Sequence, residues 1–224
     1  MIRKGVRTRQ EILGQAVAVA SEFGLEGLTI GSLAERLGMS KSGLFAHFGS
    51  KEDLQLATLA NARERFERTV FSPALAAPRG LPRIRELFRR WLAWADDPHT
   101  PGGCVVIGAT MEYDDRPGPV RDALLAAQQD LRHALARAVE IAVAEDHLRA
   151  DTDPKQLAFE LFSIVLAAHH DRRLLHDPDC ARHAETAFEA LIARHATHGA
   201  QRPPAPARDR ASQSDLFPPA GDRR

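Results

Sequence analysis

The chain has 224 residues, 44% of them hydrophobic, and its 30 basic residues are balanced by 30 acidic residues. This length can bury a sizeable core, and the zero net charge argues against a protein that coats nucleic acid without sequence preference. No apolar run approaches the roughly 20 residues that span a bilayer, and Cys104 and Cys180 are too few for a disulfide framework. We therefore expect a globular cytoplasmic protein with no membrane segment.

The first ten residues, MIRKGVRTRQ, are strongly basic and contain no acid. No apolar segment of a secretory signal follows them. Such an arm can lie near a phosphate backbone, or it can be a solvated terminus, and the composition leaves both readings open. Its basic side chains are Arg3, Lys4, Arg7 and Arg9.

Helical periodicity recurs along the chain and strand signals are nearly absent, so the predicted fold class is all-α. In chain order, the predicted helices cover 8–23, 30–37, a short segment opened by Ser40, 50–70, a segment after Pro82, a short segment from Cys104, 120–145, 154–175 and 180–195. Segments rich in Pro, Gly and Asp separate several of these helices. The last 26 residues, 199–224, have no periodic apolar face, and their composition predicts a disordered tail.

Capping residues support the early helices. Thr29 is placed to cap the second helix, and Gly38 follows that helix where a left-handed cap residue belongs. Ser40 is placed to cap the third helix, and Ser50 with Asp53 matches a capping box at the start of the fourth.

The segment SKSGLFAHFGSKEDL, residues 40–54, combines an apolar side with a small, polar front. A helix, a Gly-Met turn and a Ser-capped helix have the spacing of a helix-turn-helix, whose second helix enters the major groove of DNA. Leu44 and Phe48 are four residues apart and share the packed side. The front, suited to phosphates and base edges, consists of Ser40, Lys41, Ser42 and Gly43.

The segment that contains these residues, TIGSLAERLGMSKSGLFAHFGSKEDL (29–54), resembles the DNA-binding segment of TetR-type transcriptional regulators. The resemblance covers roughly the first 70 residues. Its matching positions are Thr29, Ala34, Gly38, Ser40, Leu44, His47, Phe48, Ser50, Lys51 and Glu52.

The resemblance implies a set of DNA-contacting positions, in which Thr29 and Lys51 bind phosphates and His47 contacts the backbone or a base. The full set is Thr29, Ser40, Lys41, Ser42, Gly43, Leu44, Phe45, His47 and Lys51. The chain departs from the family at Phe45, where Tyr is usual, and at Gly43, where Thr, Ser or Ala is commoner.

The family pattern also implies a domain organisation. It predicts a DNA-binding domain with its connecting helix at 1–70, a helical domain at 71–198 that binds a small-molecule effector and dimerises, and the tail at 199–224. The segment 102–124 resembles one branch of the family. The apolar stretch AFELFSIVLAA predicts a homodimer formed by helices 155–175 and 180–195, bound to a palindromic operator in double-stranded DNA.

Several aromatic and long apolar residues of the second half are candidates to line an effector pocket between helices, although each alone can equally fill the core. They are Trp91, Trp94, Met111, Tyr113, Phe159 and Phe162. Cys104 lies at a predicted helix start, where a thiolate could act as a redox sensor. The alternative, which the sequence favours, is that Cys104 is a small buried residue.

The sequence offers little for catalysis. It contains no Gly-rich phosphate loop, no G-x-S-x-G elbow and no H-E-x-x-H motif. His169 and His170 are adjacent on a helix and point in different directions, so no metal site and no cofactor are predicted. The alternative left open is an enzyme that acts on a small apolar molecule and keeps a vestigial helix-turn-helix.

Overall fold

The computed structural model describes residues 2–197, with side chains from Arg9 onward. The side chains of Arg3, Lys4 and Arg7 and the predicted tail at 199–224 lie outside the described residues. The all-α prediction is confirmed: within the described residues the chain forms helices and no β-strand.

Ten α-helices follow one another in the described part of the chain, and two of them continue into a π-helical turn. The α-helices are α1 (Ile2–Gly27), α2 (Ile30–Leu37), α3 (Lys41–Phe48), α4 (Lys51–Phe66), α5 (Ser72–Ala74), α6 (Leu81–Trp94), α7 (Val105–Tyr113), α8 (Pro119–Ala144), α9 (Pro154–His170) and α10 (Cys180–His195). The π-helical turns follow α4, at Glu67–Phe71, and α9, at Asp171–Leu175.

The structure refines the predicted helix boundaries. The predicted helix at 50–70 is α4 with its π-helical turn, and the one at 154–175 is α9 with its turn. The segment 72–82, expected as a loop, contains the short α5. Residues 25–27, expected beyond the end of the first helix, are helical again after a break at Gly24, where φ is +80°.

Two compact units divide the chain. Unit 1 contains residues up to 66 together with 94–127, and unit 2 contains 67–93 together with the chain from 128 onward. The predicted domain bounds of 1–70, 71–198 and 199–224 concern function and stay a prediction.

The core of unit 1 joins the first four helices to α7 and the start of α8. Leu25, Leu33, Leu44 and Leu54 are fully buried there. Val105, Ala109, Tyr113, Val120 and Leu124 belong to the same hydrophobic cluster. The early helices are therefore held in part by residues from position 105 onward, far along the chain.

The core of unit 2 is aromatic where α6, α9 and α10 contribute to it. The rings of Phe88 and Phe188 stack with centroids 4.0 Å apart, and Trp91 meets Phe162 edge-on at 6.0 Å. Such pairs add stability beyond the area that they bury.

Candidate nucleic-acid interface

Local capping positions the helix-turn-helix. The Thr29 hydroxyl accepts a hydrogen bond from the Ser32 amide at 3.0 Å, and the Ser32 hydroxyl accepts one from the Thr29 amide at 3.1 Å. Gly38 ends α2 in the left-handed conformation, with φ of +64°, and the Ser40 hydroxyl accepts from the Gly43 amide at 3.1 Å. These short-range bonds fix where α2 stops and where α3 starts.

The inner side of α3 is packed. Leu44 is fully buried and Phe48 is almost so, and both belong to the core of unit 1. Leu44 was included in the DNA-contacting set, but its side chain has no exposed surface. Leu44 therefore holds α3 against the core and does not reach the surface.

The outer side of α3 is open to solvent. Ser40, Lys41 and Ser42 are exposed, and Phe45 keeps 55% of its surface accessible. Single exposed apolar residues are common on protein surfaces, so the position of this ring matters more than its exposure. It lies on the side that the helix-turn-helix would present to a groove.

Thr29 and Lys41, both predicted to contact DNA, lie close together at the start of α2. A Cβ placed on Gly31 would lie 3.7 Å from the Lys41 ammonium nitrogen and 3.7 Å from the Thr29 hydroxyl oxygen. Lys41 therefore extends over the N-terminus of α2, where a cation and a capping hydroxyl are both near the surface. His47 is half-buried, and its ring centroid lies 6.2 Å from that of Phe48.

Lys51, at the start of α4, is ion-paired in the structure. Its Nζ donates to Oε1 of Glu26 at 2.6 Å, while Oε2 of Glu26 accepts from the Tyr113 hydroxyl at 2.7 Å. These hydrogen bonds, that of Lys51 first and that of Tyr113 next, lower the pKa of Glu26 to about 2. Glu26 is therefore a carboxylate at every physiological pH.

A buried amide links this network to the core. Gln55 Nε2 donates to the Leu25 carbonyl at 2.9 Å and to the Tyr113 hydroxyl oxygen at 2.9 Å. Burial, together with the neighbouring Glu26 carboxylate, raises the pKa of the Tyr113 hydroxyl well above its usual value. The hydroxyl therefore stays protonated and donates to Glu26.

A second carboxylate closes the end of α1. Glu112 of α7 accepts from the Leu25 amide at 3.0 Å and from the Glu26 amide at 2.8 Å, just after the break at Gly24. It acts as an N-cap supplied by a residue more than 80 positions away. Glu26, Gln55 and Glu112 could not be singled out from the sequence, because no local pattern marks a partner so distant in the chain.

Comparison with known proteins agrees with this geometry. Residues 12–58 match the family described as bacterial regulatory proteins, tetR family, and residues 80–188 match the tetracyclin repressor-like C-terminal domain. The chain belongs to the TetR family of transcriptional regulators. These matched families comprise regulators rather than enzymes.

The curated sequence relatives of this TetR-family regulator match only part of its length. The transcriptional repressor AcnR of Corynebacterium efficiens is 43% identical over 67 residues, which is 30% of this chain and 36% of AcnR. The transcriptional regulator YezE of Bacillus subtilis is 28% identical over 102 residues, covering 45% of this chain and 52% of YezE. The chain thus aligns with about a third to a half of the length of these curated relatives.

A solved structure extends the likeness to most of the chain. The TetR transcriptional regulator from Chloroflexus aurantiacus superimposes with a TM-score of 0.79 at 27% identity, covering 87% of this chain and 98% of the other. In the described part of this TetR-family regulator, no helix has both the length and the hydrophobicity to cross a bilayer.

The predicted effector-lining residues fall in both units of this TetR-family regulator. Unit 1 contains Trp94 and Tyr113, which are buried, and Met111, which is 64% exposed. Unit 2 contains Trp91 and Phe162, which are buried in contact, and Phe159, which is 55% exposed.

Arg132 of α8, which no sequence pattern singled out, places a positive charge beside two of the predicted effector-lining rings. Its guanidinium carbon lies 3.8 Å from the ring centroid of Phe162 and 5.7 Å from that of Phe159. Partial burial lowers the pKa of Arg132, and no carboxylate of the described residues pairs with it. Such a cation, placed over aromatic faces, favours an anionic or electron-rich neighbour.

Cys104 precedes α7 as its N-cap residue and is partly buried. Burial raises the pKa of its thiol, which is the opposite of what a reactive thiolate needs. The structure therefore favours a packing role for Cys104 over redox sensing.

Proposed function

We propose that this protein is a repressor that binds a palindromic DNA operator as a homodimer and responds to a small-molecule effector. The observation that carries this proposal is the two-sided α3, in which Leu44 and Phe48 are buried while Lys41, Ser42 and Phe45 are exposed. A helix built this way is held rigidly from behind and offers donors and an apolar ring to a groove.

The proposal assigns residues 1–70 to DNA and residues 71–198 to the effector and to dimerisation. Thr29, Lys41 and Lys51 would contact phosphates or base edges at the borders of α3. A regulator of this kind acts on the chromosome, so the proposal includes a cytoplasmic location.

The DNA part of the proposal is tested by selecting bound duplexes from a random pool with the full chain. We expect an inverted repeat to be enriched. If Lys41 reads a base edge, Lys41→Ala should weaken the binding of the protein to this repeat by about 1–3 kcal/mol. Lys155→Ala removes an exposed positive charge in unit 2 and should leave the affinity unchanged. If no sequence is enriched, operator binding is contradicted.

Support for a homodimer comes from uncovered helix faces in unit 2. Ala167 of α9 is exposed, and so are Ala187 and Ala190 of α10. Small residues on a helix surface let a second helix approach closely.

Sedimentation tests this interface. Ala190→Glu should convert a dimer into a monomer, because it places a charge within the covered face. Ala60→Glu, at an exposed position of α4, is the matched control and should leave the mass unchanged. A wild-type protein that sediments as a monomer contradicts the dimer.

For the effector, the proposal keeps the predicted residues and adds Arg132. The group of Trp91, Phe159, Phe162 and Arg132 in unit 2 would suit a molecule with an apolar part and an anionic or electron-rich part. A ligand can change operator binding only by its differential affinity for the DNA-bound and free forms. We expect such a compound to release the selected operator from the wild-type protein but not from Arg132→Gln. If the compound releases both proteins equally, the assignment of Arg132 is contradicted.

A further inference from the structure

A polar cleft of about 260 Å³ lies in unit 1, beside the start of α4. Three of its side chains are cationic: Lys51 of α4, Arg116 of the loop after α7, and Arg121 of α8. Glu26, Gln55 and Tyr113 also line it. The predicted phosphate ligand Lys51 is thus one member of a group that continues beyond the helix-turn-helix.

One carboxylate lies between two of these cations. Oε1 of Glu26 accepts from Lys51 at 2.6 Å, and Oε2 lies 3.7 Å from a terminal nitrogen of Arg116. The three side chains are 50%, 40% and 57% exposed respectively, so solvent and solutes reach them. An exposed ion pair of this kind is weak and exchanges readily with another anion.

Arg121 has capacity left for an anion. Its Nε donates to the Asp114 carbonyl at 2.8 Å, and among the side chains of residues 9–197 its terminal nitrogens have no carboxylate partner. The single bond to a backbone carbonyl orients the guanidinium without neutralising it.

We propose that Glu26 occupies the position of a DNA phosphate in the free protein, and that DNA binding exchanges its carboxylate for a backbone phosphate held by Lys51, Arg116 and Arg121. The inference rests on the proposed DNA-binding function and adds two contacts from outside the helix-turn-helix. A carboxylate and a phosphate present the same kind of acceptor oxygen to Lys and Arg, so one can replace the other.

Two hydrogen bonds on the buried side of the cleft do not involve Glu26. Gln55 Nε2 donates to the Tyr113 hydroxyl oxygen and to the Leu25 carbonyl, both at 2.9 Å, whereas the Tyr113 hydroxyl itself donates to Glu26. Glu26→Gln keeps an amide oxygen for the Tyr113 hydroxyl while it removes the negative charge. This substitution therefore separates the charge of Glu26 from its structural hydrogen bond.

The test uses the full chain and a short duplex of arbitrary sequence, because phosphate contacts do not depend on sequence. Binding is followed by fluorescence anisotropy between about 50 and about 200 mM salt. Glu26→Gln should tighten binding about threefold at the lowest salt, as expected for release of one exposed ion pair. Arg116→Gln and Arg121→Gln should each lower the slope of log affinity against log salt by about one.

Two controls make the result specific. Glu35→Gln removes an exposed negative charge on α2 that pairs with no cation of the described residues, and it should tighten binding less than Glu26→Gln. In a Lys51→Gln background, Glu26→Gln should lose most of its effect, because one of the cations it releases is gone.

The outcomes separate the inference from the function. A wild-type chain that binds no duplex at any salt contradicts both. A chain that binds DNA, with Glu26→Gln no tighter than Glu35→Gln and with unchanged slopes for both arginine variants, contradicts only the exchange. Since Arg116 is exposed, its variant tests the cleft even if Glu26→Gln folds poorly.

Discussion

The helix-turn-helix and unit 2 are both made of helices, yet their stabilising contacts differ in range along the chain. In the helix-turn-helix, the pairs Thr29 with Ser32 and Ser40 with Gly43 join residues three positions apart. In unit 2, Phe88 stacks on Phe188, and Arg85 forms an ion pair with Glu189 across 104 positions.

The difference shows how each region is specified. A surface that must present given residues at given angles is fixed locally, by caps and turns that tolerate little change. A core that has only to bury apolar area can be assembled from distant segments in many ways. We therefore expect unit 2 to respond to losses of volume, and the helix-turn-helix to respond to changes of single surface groups.

The largest effect should come from the aromatic stack of unit 2. Phe188→Ala removes a buried ring and should lower the free energy of unfolding by about 3–5 kcal/mol. Thr186→Ala, two positions away and exposed, should change it little. Urea unfolding measures both, and equal values would show that the stack does not hold unit 2 together.

A long-range contact also exists in unit 1, and it makes the comparison less simple. A Cβ on Gly102 would overlap the Ser21 carbonyl oxygen, so Gly102→Ala should cost about 1–3 kcal/mol through forced backbone shifts. Gly108→Ala, in α7 with open space around it, should instead stabilise by up to about 1 kcal/mol. Opposite shifts of the melting temperature are expected, and shifts of the same sign would contradict the close approach.

Substitutions on the surface of α3 should affect DNA binding rather than the stability of the fold. Phe45→Ala should leave unfolding almost unchanged, because the ring is exposed, but should weaken operator binding by about 1 kcal/mol through loss of an apolar contact such as that to a thymine methyl group. Phe45→Tyr, which restores the residue usual in the family, should keep or increase the affinity. Anisotropy with the selected operator measures both variants, and an unaffected Phe45→Ala would remove Phe45 from the interface.

The smallest effect concerns acid stability. The folded-state pKa of Glu26, about 2, lies below its ordinary 4.5, so its contribution is fully present above about pH 4.5 and is lost as the pH falls toward 2. Because the pair with Lys51 is half exposed, we expect only a few tenths of a kcal/mol. Glu26→Gln should therefore flatten the pH dependence of urea unfolding in this range, and an unchanged dependence would contradict the assignment.

Features that depend on neighbouring residues could be predicted from the sequence, whereas those that depend on distant residues could not. Thr29, Gly38 and Ser40 were recognised as caps because capping depends on neighbours in the sequence, and α10 was placed at 180–195, where the structure has it. Helix boundaries were missed at Gly24, where the continuation of α1 depends on Glu112.

The sequence could propose a set of DNA-contacting residues, but it could not indicate the side chains that those residues contact in the free protein. Nothing local in the sequence indicates that Glu26 pairs with Lys51 or that Arg132 lies over Phe162. Such pairs form only when distant helices pack, and periodicity carries no information about which surfaces meet.

The carboxylate of Glu112 at the end of α1 has a practical consequence for protein engineering. A fragment cut after α4, or a chimera that grafts the first 66 residues onto another regulator, would leave the amides of Leu25 and Glu26 without that acceptor. Such hybrids need an acidic side chain transplanted along with the fragment, and a library that varies α7 should hold this one position fixed.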